Sequence, residues 1–169
     1  MVHPRRKGCI TMDDRIINLI AGHEGYRCMP YLDTKNILTV GIGYNLESNP
    51  LNLSPDKIAQ IKKHGIGEVE AKCLLLQMLE ILAHDLAGKL DWWSKLNLAR
   101  QAVFLDMAYN MGIPRLMKFK NTLACAKSND FFGAANQMLH SKWAVQVNPQ
   151  RLMYGRDNTL ACIMRNGRF

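Results

Sequence analysis

The sequence predicts a mainly helical α+β protein. Short extended runs are confined to the segment from Pro30 to Tyr44, on either side of a polar turn. A long amphipathic pattern then runs from about Glu68 to Gly88, and the chain beyond it keeps helical spacing. Three further helical stretches are predicted there, at residues 98–111, 121–126 and 131–143. We therefore expect a small N-terminal lobe with a β-hairpin sheet, joined by a long helix to a helical C-terminal lobe.

Length and composition predict a single domain. The chain has 169 residues, of which 48% are hydrophobic, enough for one ordinary core or for a large lobe with a smaller one attached. Within one domain, residues 1–169, we expect the small lobe at 13–67, the connecting helix at 68–90 and the helical lobe at 91–169. No internal repeat or flexible linker interrupts this arrangement.

The protein is strongly basic. Its 22 lysines and arginines exceed its 14 aspartates and glutamates, which gives a net charge of +8. This charge favours an anionic partner such as nucleic acid, a membrane surface or a bacterial cell-wall polymer. A nucleic-acid module should concentrate its basic residues on one helix or groove with interleaved aromatics, whereas here they are scattered along the chain. A basic helical nucleic-acid-binding module is therefore the weaker alternative, and no nucleic-acid partner is expected.

The cysteines indicate neither a disulfide framework nor a zinc site. There are five, widely spaced at positions 9, 28, 73, 125 and 162, without a C-x-x-C pair. We expect mostly buried free thiols in a protein made in a reducing compartment, with no metal and no cofactor.

No segment has the pattern of a signal peptide or a membrane span. The N-terminal positive charges are not followed by an apolar stretch before Asp13. The most apolar segment, residues 73–90, is repeatedly interrupted by polar and charged side chains and falls short of the ~20 apolar residues of a membrane span. We expect a soluble protein that does not insert stably into membranes.

The first helix should end at a carboxylate. Thr11, with Asp14 three residues later, has the form of a capping box, and isoleucines follow at helical spacing up to Ile20. Continuing that stripe by four residues reaches Glu24, and Gly25 is a common helix stop. Glu24 should thus lie on the apolar face, partly removed from water, as a general acid requires. Without its surroundings it would be read as an ordinary helix-end glutamate.

The extended segment carries two more polar positions. In "ILTVGIGY", residues 37–44, apolar side chains alternate with Thr39, Gly41 and Gly43, which predicts a strand with one apolar and one nearly bare face. Glycines weaken a strand, so their repetition indicates either close approach by a ligand or backbone, or a bulge. Asp33 precedes the polar turn and, taken alone, is a favoured turn residue.

Competing motifs fail at specific positions. "HEGYR" lacks the second histidine of a zinc protease because Arg27 takes its place, and "GIGYNL" lacks the third glycine of a dinucleotide loop because of Leu46. What remains is a pair of carboxylates, Glu24 and Asp33, with the hydroxyl of Thr39. Glycoside hydrolysis typically uses two carboxyl groups that flank the scissile bond.

The segment "HEGYRCMPYLDTKNILTVGIGYNL" resembles the active-site segment of the T-even phage type lysozymes, the endolysins and muramidases of glycoside hydrolase family 24. That family has Glu-Gly at a helix end, a Tyr-x-Asp-Thr turn and a Thr-[Val/Ile]-Gly-x-Gly strand at these spacings. A second block, "ARQAVFLDMAYNMGIPRLMKFKNTL" followed by "AANQMLHSKWAVQV", resembles the family's C-terminal lobe. The likeness runs from about Asp13 to Trp143.

The resemblance implies a lysozyme-like fold and a cell-wall lytic function. Peptidoglycan would bind in the cleft between the lobes of a monomer, and the β-1,4 bond between N-acetylmuramic acid and N-acetylglucosamine would be hydrolysed with inversion. Glu24 would protonate the glycosidic oxygen, Asp33 would serve the opposite face of the sugar, and Thr39 would help to place the water. The lysozyme itself would stay in the host cytoplasm until a membrane pore admits it to the wall.

Family positions that contact the glycan fall on Asn45, Tyr109, Thr122 and Gln137. Taken structurally, Tyr109 and Gln137 are also plausible packing residues of the helical lobe. The match at these four positions is therefore weaker evidence for substrate binding than the match at Glu24, Asp33 and Thr39 is for catalysis.

The chain departs from the family at several points. Tyr44 replaces a histidine after Gly-x-Gly, so an ion pair there is missing. The segment after Trp143 is longer than the usual Arg-rich end, and Arg151 is the candidate for an arginine at the cleft rim. The N-terminal "HPRRKG" reads as a basic arm attracted to anions of the wall or outer surface.

A lytic transglycosylase is the main enzymatic alternative. It would cleave the same bond with one acid and release an anhydro sugar. Because it needs no second carboxylate, Asp33 and Thr39 argue against it. A product with a reducing end separates the two reactions.

Overall fold

The computed structural model describes residues 12–169 and confirms a mainly helical α+β fold with a small antiparallel sheet near the N-terminus. The elements are α1 (Asp14–Glu24), β1 (Arg27–Leu32), β2 (Leu38–Gly41), β3 (Tyr44–Asn45), α2 (Pro55–His64), α3 (Glu68–Lys89), α4 (Leu98–Met111), α5 (Ile113–Leu116), α6 (Lys120–Lys127), α7 (Phe131–Leu139), α8 (Lys142–Val147) and α9 (Arg156–Asn166). A single 3-10 turn, Trp93–Lys95, precedes α4. The chain divides into two compact units within α3, after Ile81.

Helix α1 ends where its local signals place it, but its N-cap is Asp13 and not Thr11 of the expected capping box. Asp13 is the N-cap and accepts a hydrogen bond from the Arg15 amide at 2.8 Å. The Arg15 side chain also bonds Asp13 and holds the pKa of this carboxyl at about 2. Glu24 is the last helical residue and Gly25 the C-cap, as predicted. Thr11, the other half of the expected capping box, lies outside the described residues.

The sheet has the order β1-β2-β3, and both pairs are antiparallel. The alternation in "ILTVGIGY" predicted one continuous strand. This prediction is wrong, because the chain turns at Ile42 and Gly43 and returns as β3. Within β2, Thr39 is the one side chain on the face that it shares with Gly41, and it is only 4% exposed. The period-two reading therefore holds for β2 and fails beyond Gly41.

Gly41 has a packing reason rather than a ligand reason. Its φ is +65°, a left-handed conformation that β-carbons disfavour. A Cβ built at this position would lie 2.7 Å from Ile66 Cδ1 and 2.9 Å from Ala71 Cβ. The glycine thus lets the end of β2 contact the start of α3, and close approach by a ligand is not needed to explain it.

Helix α2 has clear local signals at both ends. The Ser54 side chain accepts from the Lys57 amide at 3.2 Å, Pro55 occupies the first helical position and Gly65 is the C-cap. The long helix α3 has 22 residues, Glu68–Lys89, one residue beyond the predicted pattern.

The second unit, Leu82–Phe169, is helical and is built around α4. Asp106 of α4 is fully buried, and the Arg156 Nε donates to its Oδ1 at 2.6 Å. The Arg156 Nη2 also donates to the Asp106 carbonyl at 3.2 Å. This buried ion pair joins the start of α9 to the middle of α4.

The helix predicted over residues 131–143 is broken in two. Helix α7 ends at Leu139, and Ser141 caps α8 by accepting from the Ala144 amide at 3.2 Å. The Ser141 hydroxyl also donates to the Met138 carbonyl at 2.6 Å, which ties both helix ends to one side chain. The apolar spacing continues through this cap, which is why periodicity did not reveal the break.

The cysteines correct one expectation. Cys28, Cys73 and Cys162 are exposed and Cys125 is half-buried, so the thiols are not mostly in the core. All four are free, and Cys9 lies outside the described residues. From Met12 onward, no helix combines the length and apolar character needed to cross a membrane.

Candidate active site

Glu24 lies at the C-terminal end of α1, where the apolar stripe of the helix ends. Its side chain is half-buried, and its Oε1 atom is shielded from solvent. The prediction of a carboxylate partly removed from water is therefore met by its position.

Asp33 both folds its turn and keeps one oxygen available. Its Oδ1 accepts from the Lys35 amide at 2.7 Å and from the Ile37 amide at 2.9 Å. Within residues 12–169 nothing donates a hydrogen bond to its Oδ2. The turn-forming and the chemical interpretations of Asp33 are thus compatible, because each uses a different oxygen.

Thr39 occupies the central strand of the sheet. Tyr31 of β1 and Asn45 of β3 lie directly opposite it on either side. Its hydroxyl donates to the Ile37 carbonyl at 3.1 Å. Since a hydroxyl has one hydrogen, the Oγ1 of Thr39 can receive a hydrogen bond from a water but cannot also give one.

Tyr31, directly opposite Thr39, is a further candidate that the pair of carboxylates did not predict. Burial raises the pKa of its hydroxyl. The negative charges of Glu24 and Asp33 raise this pKa further. The signal for Tyr31 was present in the sequence, as the tyrosine of the Tyr-x-Asp-Thr turn.

Arg27 is the second missed residue. Its guanidinium carbon lies 4.3 Å from the centroid of the Tyr31 ring, a cation–π distance. Its positive charge opposes the upward shift of the Tyr31 pKa. The sequence motif excludes Arg27 as a zinc ligand but does not predict this contact, which forms within β1, where the register shifts between Arg27 and Tyr31.

Asn45 is largely committed to local structure. Its Oδ1 accepts from the amides of Glu47 and Ser48, both at 2.9 Å, so its carbonyl folds the turn after β3. The role of Asn45 as a substrate contact stays a prediction, and its side-chain nitrogen is the part left for it.

Tyr44 replaces the missing ion pair with a hydrogen-bonded turn. The side chain is 2% exposed, and its hydroxyl donates to Asn49 Oδ1 at 2.8 Å. The Tyr44 hydroxyl oxygen also accepts a hydrogen bond from the Leu51 amide at 3.3 Å. Asn49 in turn bonds the Leu53 carbonyl and amide. The tyrosine therefore fixes the loop between β3 and α2 without any charge.

Two of the predicted substrate contacts meet in the second unit. Thr122 of α6 and Gln137 of α7 both line a pocket of about 490 Å³, whose wall includes Trp143. Tyr109 of α4 is half-buried and does not line this pocket. Arg151 is exposed, with its Nη1 3.8 Å from Asp157 Oδ2, and its assignment to a cleft rim stays a prediction.

The sequence matches the phage lysozyme family model over residues 21–156. The chain belongs to the phage lysozyme family. It is also 26% identical over 163 residues to the pre-baseplate central spike protein Gp5 of Enterobacteria phage T4, a match that covers 85% of this chain and 26% of Gp5. The chain thus spans about a quarter of the length of that relative.

Family membership confirms the resemblance drawn from the motifs. The matched range includes both carboxylates and Thr39, and it extends through the pocket of the second unit. Across residues 12–169 of this phage lysozyme, no group of three histidine, cysteine, aspartate or glutamate side chains is placed to hold a metal ion.

Proposed function

We propose that this phage lysozyme is a muramidase that hydrolyses the β-1,4 bond between N-acetylmuramic acid and N-acetylglucosamine in peptidoglycan. Family membership supports the reaction class. The observation that carries the assignment is a pair of carboxyl groups with different surroundings within the matched range: Glu24 has a shielded Oε1, and Asp33 has an Oδ2 to which no described residue donates. Glycoside hydrolysis requires two carboxyl groups whose surroundings differ in this way.

Glu24 is the general acid in this proposal. It transfers its proton to the glycosidic oxygen as the bond to the anomeric carbon breaks. Its position at the end of α1, with Oε1 shielded from solvent, supports this role because bulk water is kept from one face of the carboxyl group.

Asp33 is the general base. Its Oδ1 is held by two turn amides, so Oδ2 is the oxygen that takes a proton from the attacking water. Thr39 orients that water by accepting its other hydrogen, since the threonine hydroxyl already donates to Ile37. Attack by water on the face opposite the leaving group inverts the anomeric centre.

Clearing of purified murein suspensions tests the assignment. Wild type should reduce turbidity, and Glu24→Gln should lose nearly all activity because an amide cannot donate the proton. Glu68→Gln is the matched control, because Glu68 is an exposed α3 residue paired with Lys72. Circular dichroism should show the same fold in all three proteins. Near-normal clearing by Glu24→Gln contradicts the proposal.

The chemical form of the product tests the reaction type. Hydrolysis yields a reducing end with each cleavage, whereas a transglycosylase leaves an anhydro sugar. Borohydride labelling of the early products should therefore follow the loss of turbidity. Anhydro products without new reducing ends would assign the transglycosylase reaction instead.

A further inference from the structure

The loop between α8 and α9 exposes three consecutive large side chains. Leu152 is 58% exposed, Met153 76% and Tyr154 89%. Among the exposed large hydrophobic residues of the described chain, 12–169, no other three are consecutive. We call residues 152–154 the apolar tip. Exposed apolar residues that occur singly are ordinary, whereas a contiguous group of them marks an interaction surface.

A buried side chain holds this loop in place. Asn148 is buried, and its Nδ2 donates to the Leu152 carbonyl at 2.9 Å and to Asp157 Oδ1 at 2.7 Å. Its Oδ1 accepts from the Leu152 amide at 2.8 Å. The Asn158 side chain also donates to the Leu152 carbonyl at 2.9 Å. The first residue of the apolar tip is therefore fixed through both of its backbone polar groups.

Two backbone positions further specify the conformation of the loop. Arg151 has a φ of +53°, which is uncommon for a residue other than glycine, asparagine or aspartate. A Cβ at Gly155 would overlap the side chain of Asn148, so the glycine allows the two to approach. A strained loop that keeps its apolar side chains outward indicates a surface used for binding rather than a flexible connection.

The apolar tip belongs to the strongly basic part of the protein. The second unit, Leu82–Phe169, has twelve lysines and arginines, five aspartates and no glutamate, which gives it +7 of the net charge of +8. In the segment 142–169 the single acidic residue, Asp157, is buried, whereas Arg151 beside the tip is exposed. These surroundings favour an anionic partner.

The size of the apolar tip distinguishes between kinds of partner. Three large side chains, each with about 150–250 Å² of surface, present less than the roughly 800 Å² that a stable protein complex buries on each partner. A second copy of this chain meets the same limit. A lipid bilayer needs no complementary surface, because apolar side chains insert individually and basic residues meet anionic headgroups. Tyrosine is favoured at the boundary between headgroups and acyl chains.

We propose that the apolar tip inserts into the interface of an anionic lipid bilayer, to which the positive charge of the second unit attracts the protein. The binding is peripheral and reversible, because three side chains reach only the headgroups and the upper part of the acyl chains. It uses neither Glu24 nor Asp33. Vesicle binding is therefore measured without murein, and its outcome is independent of the proposed hydrolysis.

Flotation with unilamellar vesicles measures this binding. The vesicles would be made of phosphatidylcholine alone or of an equal mixture of phosphatidylcholine and phosphatidylglycerol. Wild type should bind the mixed vesicles, bind phosphatidylcholine weakly and lose affinity as salt is added. The variant Met153→Ser, Tyr154→Ser should bind the mixed vesicles about tenfold more weakly, because binding scales with the apolar area inserted.

The variant Val69→Ser, Phe132→Ser is the matched control. It also replaces two exposed large side chains with serine, outside the apolar tip and without a change in net charge. It should bind as wild type does, and circular dichroism should show the same fold in all three proteins. Equal binding by wild type and the tip variant would overturn the inference, because charge alone would then explain it. An equal loss in the control variant, or no binding by wild type, would overturn it too.

Tyr154→Trp reports the insertion itself. The native tryptophans Trp92, Trp93 and Trp143 are buried. Mixed vesicles with brominated acyl chains should therefore quench the fluorescence of Tyr154→Trp more than that of wild type. Bound protein without this extra quenching would overturn the inference. A wild-type dimer seen by analytical ultracentrifugation without lipid, and lost in the tip variant, would assign the apolar tip to a second copy and overturn it as well.

Discussion

Tyr31 on β1 lies directly opposite Thr39 on β2, and Thr39 lies directly opposite Asn45 on β3. Directly opposed residues of an antiparallel pair project from the same face, so three strands deliver three polar side chains in one row. Tyr31 also relates this row to the two carboxylates, because the negative charges of Glu24 and Asp33 raise the pKa of its hydroxyl. The short sheet thereby places the water-binding side chain of the proposed mechanism.

The anomer released by hydrolysis shows whether water or Asp33 attacks the sugar. A water held by Asp33 and Thr39 needs carboxyl groups roughly 6.5–9.5 Å apart, whereas a nucleophilic Asp33 needs about 5 Å. We expect water to attack, so the early product should be the α-anomer, observed by proton NMR before mutarotation. A β-anomer as the first product would mean that Asp33 bonds to the sugar, and Thr39 would then need another role.

Thr39→Val should slow catalysis with little loss of stability. The valine keeps the buried shape but cannot hold water, so we expect kcat to fall roughly 100-fold. The Ile37 carbonyl still accepts from the Asp33 amide, so unfolding free energy should fall by no more than about 1 kcal/mol. Thr39→Ser, which keeps the hydroxyl, is the control and should retain most activity. A fully active valine variant would remove Thr39 from the mechanism.

Gly41→Ala should destabilise the first unit strongly. The new methyl group would meet Ile66 and Ala71 at less than 3.0 Å, on a backbone with φ +65°. Strain and overpacking together should cost about 2–5 kcal/mol in urea unfolding. Gly88→Ala in α3 is the control, because a Cβ there has no neighbour within 4 Å. It should be neutral or stabilise by about 0.4–1 kcal/mol. Similar losses in both variants would refute the packing argument.

Tyr44→Phe should destabilise the protein at neutral pH and alter its response to alkali. It removes the bonds to Asn49 and Leu51, for a loss of about 1–2 kcal/mol. Burial raises the pKa of Tyr44 above its ordinary value of 10.0. The neutral hydroxyl therefore contributes stability below that value, and the contribution is lost as pH rises through the higher folded-state pKa.

Urea unfolding of wild type and Tyr44→Phe at about pH 8 and about pH 11 measures this difference. The gap between the two proteins should narrow at the higher pH. Tyr26 and Tyr31, whose pKa values are also raised by burial, titrate in both proteins and cancel in the comparison. A gap that is constant or widens with pH would show that the Tyr44 hydroxyl does not titrate as described.

The buried pair Asp106–Arg156 should show strong coupling. Arg156→Met leaves a carboxylate at a fully buried position, and we expect a loss of about 3–5 kcal/mol. Adding Asp106→Leu removes the uncompensated charge, so the double variant should be more stable than the sum of the two single losses predicts. A double-mutant cycle in urea measures the coupling, and simple additivity would contradict it.

Sequence patterns predicted those elements whose signals are local. Helices α1 and α2 carry their own caps and stops, so the sequence alone places Glu24 at a helix end. The motifs around Glu24, Asp33 and Thr39, together with the second block in the helical lobe, carry the resemblance that the family match confirms. In these cases the determining contacts lie within a few residues along the chain.

Other features depend on contacts between distant segments. The end of β2 at Gly41 packs against Ile66 and Ala71. The alternation of residues along a strand does not encode contacts with residues 25 or more positions away, so it could not predict this packing. The electrostatic connection of Tyr31 to Glu24 likewise arises from the folded sheet and helix. The pocket lined by Thr122 and Gln137 likewise forms because hydrophobic burial packs separate helices together, which brings their polar side chains to one place without any periodic pattern of their own.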